Sequence, residues 1–298
     1  MIEPVIFGEG VISTGDSESH PAFTPDGKTV YFLKDSPAFN FWTICVSHFR
    51  DGKWSAPEVA PFSGQYSDAD PFITADGSRF FFISNRPLAE MGPAKEDTDI
   101  WMMLKEGSGW SAPVNLGETV NSKGSEWYPT VAKDGTLYFG SDREGGQGQT
   151  DIYRARLVDG KYSKPENLGP PVNTSGHEYE PFISPDQSFL IFMAYRPEGQ
   201  GRSDLYISYQ RDGQRTAPVN LGDKINSPAA EYSPKISPDG KYFFWSSGRT
   251  TIKPAQDKPL SFIQLTNLIR SPGNGLLDIY RIDLAELNLS KETSNGIK

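Results

Sequence analysis

Short apolar stretches separated by polar turns run the length of the chain, and their order repeats. An acid-x-x-Pro element opens each unit, at Glu18 to Pro21, Asp68 to Pro71, Glu126 to Pro129, Glu178 to Pro181 and Glu231 to Pro234. A short apolar strand follows, then a turn at Asp26-Gly27, Asp76-Gly77, Asp134-Gly135, Asp186-Gln187 or Asp239-Gly240, then a second strand rich in Tyr and Phe. Asp and Gly at the turn make each pair of strands a hairpin. A third strand is predicted from Asp99-Ile100-Trp101, Asp151-Ile152-Tyr153, Asp204-Leu205-Tyr206 and Asp278-Ile279-Tyr280. A fourth is predicted around Trp54-Ser55-Ala56-Pro57, Trp110 to Pro113, Tyr162 to Pro165 and Arg215 to Pro218, where proline suits an outer edge. Repetition at about 50 residues is the signature of a radial repeat architecture.

The expected fold is therefore all-β, a five-bladed β-propeller with four antiparallel strands per blade. Its blades fall near 17–62, 67–121, 125–173, 177–226 and 230–285, within one domain spanning 1–298. The fifth unit lacks an outer strand of its own. Pro4-Val5-Ile6-Phe7-Gly8 reads like Pro113-Val114-Asn115-Leu116-Gly117, so residues 3–8 are expected to close the ring and remove an exposed sheet edge. An insertion at 250–277 interrupts the fifth unit. Within it Ser261 is placed to cap a short helix with Phe262, Leu265 and Ile269 on one face, ending before Pro272-Gly273, and residues 257–272 read as a lid, a partner surface or a packed excursion.

Composition narrows the class further. Gly and Pro number 29 and 24 among 298 residues and aromatics make up 12%, which suits short strands and sharp turns. A net charge of -9 argues against nucleic-acid and anionic-membrane partners, and no stretch has the length of a membrane span. Cys45 is the one cysteine and reads as a buried strand residue. The opening Met1-Ile2-Glu3-Pro4 has no basic segment followed by an apolar run. The reading is of a chain that works in the cytoplasm or has lost an export signal.

The acid-x-x-Pro element, Ser237 to Gly240 and Ser184-Pro185-Asp186, the Gly-rich Ser141 to Gly148, and Asp-Ile-Tyr together resemble the WD-related repeat of TolB-type propellers, over residues 3 to 284. TolB itself has six blades. The resemblance implies a bacterial envelope scaffold, periplasmic or extracellular, and no catalytic residue.

In a repeat protein, residues common to every unit build the unit, and those that differ at equivalent positions are free to form a site. Glu18, Asp68, Glu126, Glu178 and Glu231 read as structural, with a cation ring in the channel as the alternative; no cofactor is expected otherwise. Arg86, Arg143, Arg196 and Arg249 read as staples to a buried acid. Asp151 is the first candidate for Arg143, with Glu126 and Glu178 as alternatives. Blade one has Thr43 in place of the third-strand Asp and no Arg in Lys34-Asp35-Ser36, consistent with a pair lost together.

The positions before the motif prolines do differ: His20, Asp70, Tyr128, Glu180 and Ser233. With the neighbouring Trp127, Tyr179 and Tyr232 they are expected to form an acidic, aromatic-lined funnel on one face, able to take a peptide, a protein or a glycan. If the chain is instead a carbohydrate-active enzyme, Asp70, Glu180 and His20 are its candidate catalytic groups. His20, His48 and His177 show no metal-ligand spacing, Gly145 to Gly148 opens no helix, and no Gly-x-Ser-x-Gly elbow is present.

Overall fold

The protein is described from a computed structural model covering residues 3–36, 38–89, 92–287 and 289. Five antiparallel sheets of four or five strands form a ring. Each starts from an inner strand, Glu18–Phe23, Asp68–Ile73, Glu126–Val131, His177–Ile183 or Glu231–Ile236, and steps outward through two further strands. This is a five-bladed β-propeller. The apolar faces of adjacent blades pack on one another, so the core lies between sheets. One cluster joins Phe81 and Ile100 of the second blade to Phe139 and Tyr153 of the third.

The turn between the first two strands takes a left-handed residue, which glycine supplies most cheaply. Gly27, Gly77, Gly135 and Gly240 do so, and Gln187 at φ 61° takes the same place in the fourth blade. Its side chain offsets the strain: Tyr138 Oη donates to its Oε1 and its Nε2 donates to Asp134 Oδ2, both at 2.8 Å, tying the turn to the neighbouring blade.

The outer strand is shorter and more broken than its sequence suggests. In the first blade it divides into Lys53–Trp54 and Glu58–Val59, which pair with the third strand on either side of Ser55-Ala56-Pro57. In the gap, Ser55 Oγ accepts from His48 N at 3.1 Å, and Ser111, Ser163 and Thr216 do the same for Leu104, Arg156 and Tyr209 at 3.0 Å. The hydroxyl oxygen accepts in place of a ladder carbonyl where the outer strand breaks. Farther on, Asn121, Asn173 and Asn226 clasp one third-strand residue each, accepting from the N–H and donating to the C=O of Ile100, Ile152 and Leu205.

The N-terminus closes the fifth blade. Val5 and Ile6 pair antiparallel with Arg281 and Tyr280, and Phe7 N donates to Ile279 O at 2.7 Å. Ser13 Oγ then accepts from Ile279 N at 3.1 Å, as the asparagines do elsewhere. Phe7 is buried against Phe23, Trp54 and Phe244, so the closing segment also seals the seam between the fifth and first blades.

The recurring arginines pair with inner-strand acids, which corrects the expected Arg143–Asp151 contact. Arg143 Nη2 lies 2.9 Å from Glu126 Oε1 and Arg86 Nη2 lies 2.6 Å from Asp68 Oδ1. Arg196 and Arg249 reach Glu178 and Glu231 at 3.7 Å. Ser141 stands opposite both Glu126 and Asp151 in the sheet, so Arg143 has both within range. Asp151 is already taken, since Gly148 N at 3.2 Å and Asn167 Nδ2 at 2.9 Å donate to it and it holds the Gly-rich loop. Blade one keeps its staple in another form: Lys34 Nζ sits 2.9 Å from Glu18 Oε1. Its two departures are therefore separate substitutions, and Ser36 Oγ, accepting from the amides of Asn40 and Phe41, shapes the loop that Asp would have held. The five inner acids are each hydrogen-bonded by a serine or threonine just ahead of them in the chain.

The insertion forms the helix Phe262–Ile269, with Ser261 and Gln264 in a reciprocal capping box and no buried residue. Asn274 Nδ2 donates to Gly15 O at 2.9 Å and to Ile269 O at 3.0 Å. Gly15 is required there, because a Cβ would stand 2.0 Å from Arg270 O.

Candidate functional site

Every inner strand breaks its ladder at the motif proline. The pairing shifts between Ser19 and Ala22, Ala69 and Phe72, Trp127 and Thr130, Tyr179 and Phe182, and Tyr232 and Lys235. The residue before each proline carries a left-handed backbone: φ is 55° at His20, 56° at Asp70, 49° at Tyr128, and 50° at Glu180 and Ser233. These are β-bulges, which bend a strand and re-aim a side chain. Five of them around the ring bring residues distant in the chain together at its centre.

His20 Nε2 lies 3.2 Å from both Asp70 Oδ1 and Glu180 Oε1, and its Nδ1 is 2.6 Å from Ser19 Oγ. The remaining carboxylate oxygens serve the next blade: Tyr128 N donates to Asp70 Oδ2 at 2.8 Å, and Ser233 N donates to Glu180 Oε2. Ser233 Oγ bonds Ser246 Oγ at 2.6 Å, and both accept from His20 N. The bulges are thereby sewn to one another around the ring.

Burial works against charge on His20, but Glu180 and Asp70 beside it outweigh this and raise its pKa. Burial lifts the Asp70 carboxyl to about 6 against the pull of His20. The centre is a buried, mutually dependent group of acids and base.

Above it opens a cavity of about 1210 Å3. His20, Asp70 and Glu180 line it, and so do Trp127, Tyr179 and Tyr232. Trp127 and Tyr179 meet edge to face at 5.6 Å, and His177 stacks on Tyr179 at 5.5 Å. Tyr128 is placed elsewhere. It is 1% exposed, does not line this cavity, and donates from Oη to Pro234 O across the centre at 2.8 Å. Its bulk carries the ring past the funnel and into the body of the propeller.

Several lining residues were not singled out from sequence. Trp42, Phe39 and Tyr195 extend the aromatic wall, and Asp35 adds a carboxyl to it. Burial raises the Asp35 pKa, and Ser17 Oγ donates to it at 3.0 Å. The signal for Asp35 was the departure of blade one from the pattern, which had been read only as a missing arginine. Lys235, near the axis below the bulges, was also missed, although comparing the repeats two residues past the bulge position would have found it.

Of the insertion, Thr250 and Gly275 to Leu277 reach the cavity wall; the helix does not. Among the described residues no three His, Cys, Asp or Glu side chains are arranged to hold a metal ion, and no helix is long and apolar enough to cross a membrane.

No family model and no curated protein sequence matches the chain. Solved structures do. A protein assigned as TolB from Agrobacterium tumefaciens aligns over 90% of both chains at 16% identity with a TM-score of 0.51. TolB from Acinetobacter baumannii aligns over 89% of this chain and 54% of its own, at 17% identity and a TM-score of 0.47. An α-L-arabinofuranosidase from Lactobacillus brevis aligns over 92% of both, at 11% identity and a TM-score of 0.49. With the repeat motifs and the ring of five blades, the chain has the fold of a TolB-type β-propeller.

Proposed function

We propose that the protein is a binding propeller, and that the funnel bounded by Trp127, Tyr179 and Tyr232 receives a peptide, a protein segment or a glycan. The observation carrying this reading is how the floor is committed. Three of the four oxygens of Asp70 and Glu180 accept from His20 or from backbone N–H groups and the fourth, Asp70 Oδ1, lies in ion-pair contact with His20, while the aromatic wall above them stands open to a cavity of ligand size. Aromatic faces beside carboxyl groups suit both sugar C–H faces and basic peptide side chains. A compartment outside the cytoplasm goes with this reading, as the TolB resemblance implies.

The second reading is glycoside hydrolysis. One feature favours it: burial raises the Asp70 carboxyl to about 6, as a general acid requires.

A thermal-shift screen of glycans and basic peptides tests both, since a ligand of the native state raises the melting temperature. A hit should weaken at least tenfold in Trp127→Ala and only modestly in Asp70→Asn or Glu180→Gln. Turnover of a glycoside abolished by Glu180→Gln with binding retained would replace the first reading with the second. A hit indifferent to Trp127→Ala would place the ligand outside the funnel.

A further inference from the structure

The propeller has a second cavity, of about 550 Å3, on the face opposite the funnel, where the inner strands turn into the second strands. Its wall is largely apolar, formed by side chains such as Phe23, Phe72, Val131, Leu157 and Phe182. Lys235 lines it as well. Two residues past the bulge, the five blades carry Ala22, Phe72, Thr130, Phe182 and Lys235, so one unit alone places a charged group there.

Lys235 is 5% exposed. Its Nζ sits 4.6 Å from the centre of the Tyr128 ring, 4.9 Å from that of Phe72 and 6.0 Å from that of Phe182. It has no hydrogen-bond partner. An ammonium carries three donors and no acceptor, and a buried polar group left unpaired is costly enough to call for an explanation. The carboxylates of the central ring do not supply one. Their four oxygens are engaged by His20, Tyr128 N or Ser233 N, three through hydrogen bonds and Asp70 Oδ1 through ion-pair contact, and none lies in ion-pair contact with Nζ. Lys235 lines the second cavity, with Nζ itself buried beside the rings of Phe72, Tyr128 and Phe182.

We infer that this cavity is a ligand site separate from the funnel, and that it takes a small apolar molecule bearing one carboxylate, which Lys235 meets at the inner end. Its volume falls within the roughly 300–1,000 Å3 usual for small-molecule pockets. Arg79 and Lys133 in the wall balance the carboxylates of Asp76 and Asp134, which hydrogen bonds in the hairpin turns hold in place, so Lys235 is the unmatched cationic group of this cavity. Burial holds the amine at about 7, against the pull of Asp70 and Glu180. A carboxylate arriving beside it therefore draws a proton onto Lys235.

Octanoate is the probe, with octan-1-ol as the uncharged control, titrated calorimetrically into the full chain at pH 7 in two buffers of different ionisation enthalpy. Saturable octanoate binding is expected, with net proton uptake, because burial holds the amine far below its ordinary value and leaves part of it neutral at pH 7. Lys235→Met should weaken octanoate at least tenfold and leave octan-1-ol unchanged, and Trp127→Ala should affect neither. Met is unbranched and apolar, so this variant suits the aromatic surroundings; should it nevertheless fail to fold, proton uptake and the octanoate preference of the unaltered protein decide the question. Absence of saturable octanoate binding, binding without proton uptake, or equal affinity in Lys235→Met would each overturn the inference.

Discussion

Replacing Arg143 with alanine tests whether the recurring arginines hold the blades together. Glu126 is wholly buried beneath it, so the substitution leaves a carboxylate without its counter-charge. Breaking a buried pair from one side typically costs about 3–5 kcal/mol. Two features of the site adjust that figure in opposite directions. Ser122 Oγ at 2.6 Å and Ser141 Oγ at 3.1 Å still donate to Glu126, which favours the lower end. Against this, Val120 O loses its 2.8 Å donor and the guanidinium leaves the rings of Phe139 and Tyr153, which it covers at 5.0 and 4.8 Å. A loss of about 3 kcal/mol follows. Urea unfolding at several pH values reads it. Burial already holds the folded-state pKa of Glu126 above its ordinary 4.5 despite Arg143, so ionisation opposes folding as pH rises. Without Arg143 that opposition grows. The deficit should be largest near neutrality and shrink as pH falls toward 4.5 and the carboxyl takes a proton. Glu126→Gln introduced into the Arg143→Ala background should recover part of it. A deficit within error at pH 7 would refute the staple, and one that is the same at every pH would assign the loss to packing.

Removing residues 1–12 should open the fifth blade and expose the seam that Phe7 and Ile12 fill; burying each contributes about 1.5–3 kcal/mol, so a truncated protein melting like the full chain would refute ring closure. Deleting 257–272 and rejoining the ends should leave the propeller folded, because the helix buries no residue; a collapsed far-ultraviolet spectrum or a large loss of melting temperature would contradict that. The same deletion should change funnel affinity little, since the helix does not line the cavity, and a large change would favour the lid among the three readings the sequence left open. His20 has a raised pKa in the fold, so its contribution to stability is full below 6.5 and is lost as pH rises through the folded-state value. His20→Gln should alter the pH dependence of stability over that window, removing the imidazole's share and releasing Asp70 to titrate higher, and an unchanged profile would mean that the imidazole does not titrate there.

Blade number, hairpins, capping of the inserted helix and closure by the N-terminus were all legible in the chain. Each rests on a local or periodic signal: a proline, an Asp-Gly pair, an alternating stretch, a Ser three residues before a Gln. The break in the outer strand was not read there: Ser-Ala-Pro passed for strand, although its serine acts through a contact only seven residues away. Partner choice was another matter. From sequence, Arg143 had Asp151 nearer in the chain, and only the register of three adjacent strands, with Asp151 already spent on a loop, gave it Glu126.

The centre of the ring lies farthest from what local signals encode. Comparing the repeats pointed to His20, Asp70, Tyr128 and Glu180 as the positions that vary, but not to what they would do. His20 and Glu180 are 160 residues apart, and a bulge in each of their strands has to turn them inward before they meet. Which side chains then face the funnel, which lie sealed beneath it as Tyr128 does, and which are left without a partner, as Lys235 is, depends on ring closure setting the blades at fixed distances around one axis. Patterning dictates elements because hydrophobic period and turn chemistry act over a few residues. Contacts across a closed ring are decided by packing, where a shift smaller than one side chain changes which acceptor a donor finds.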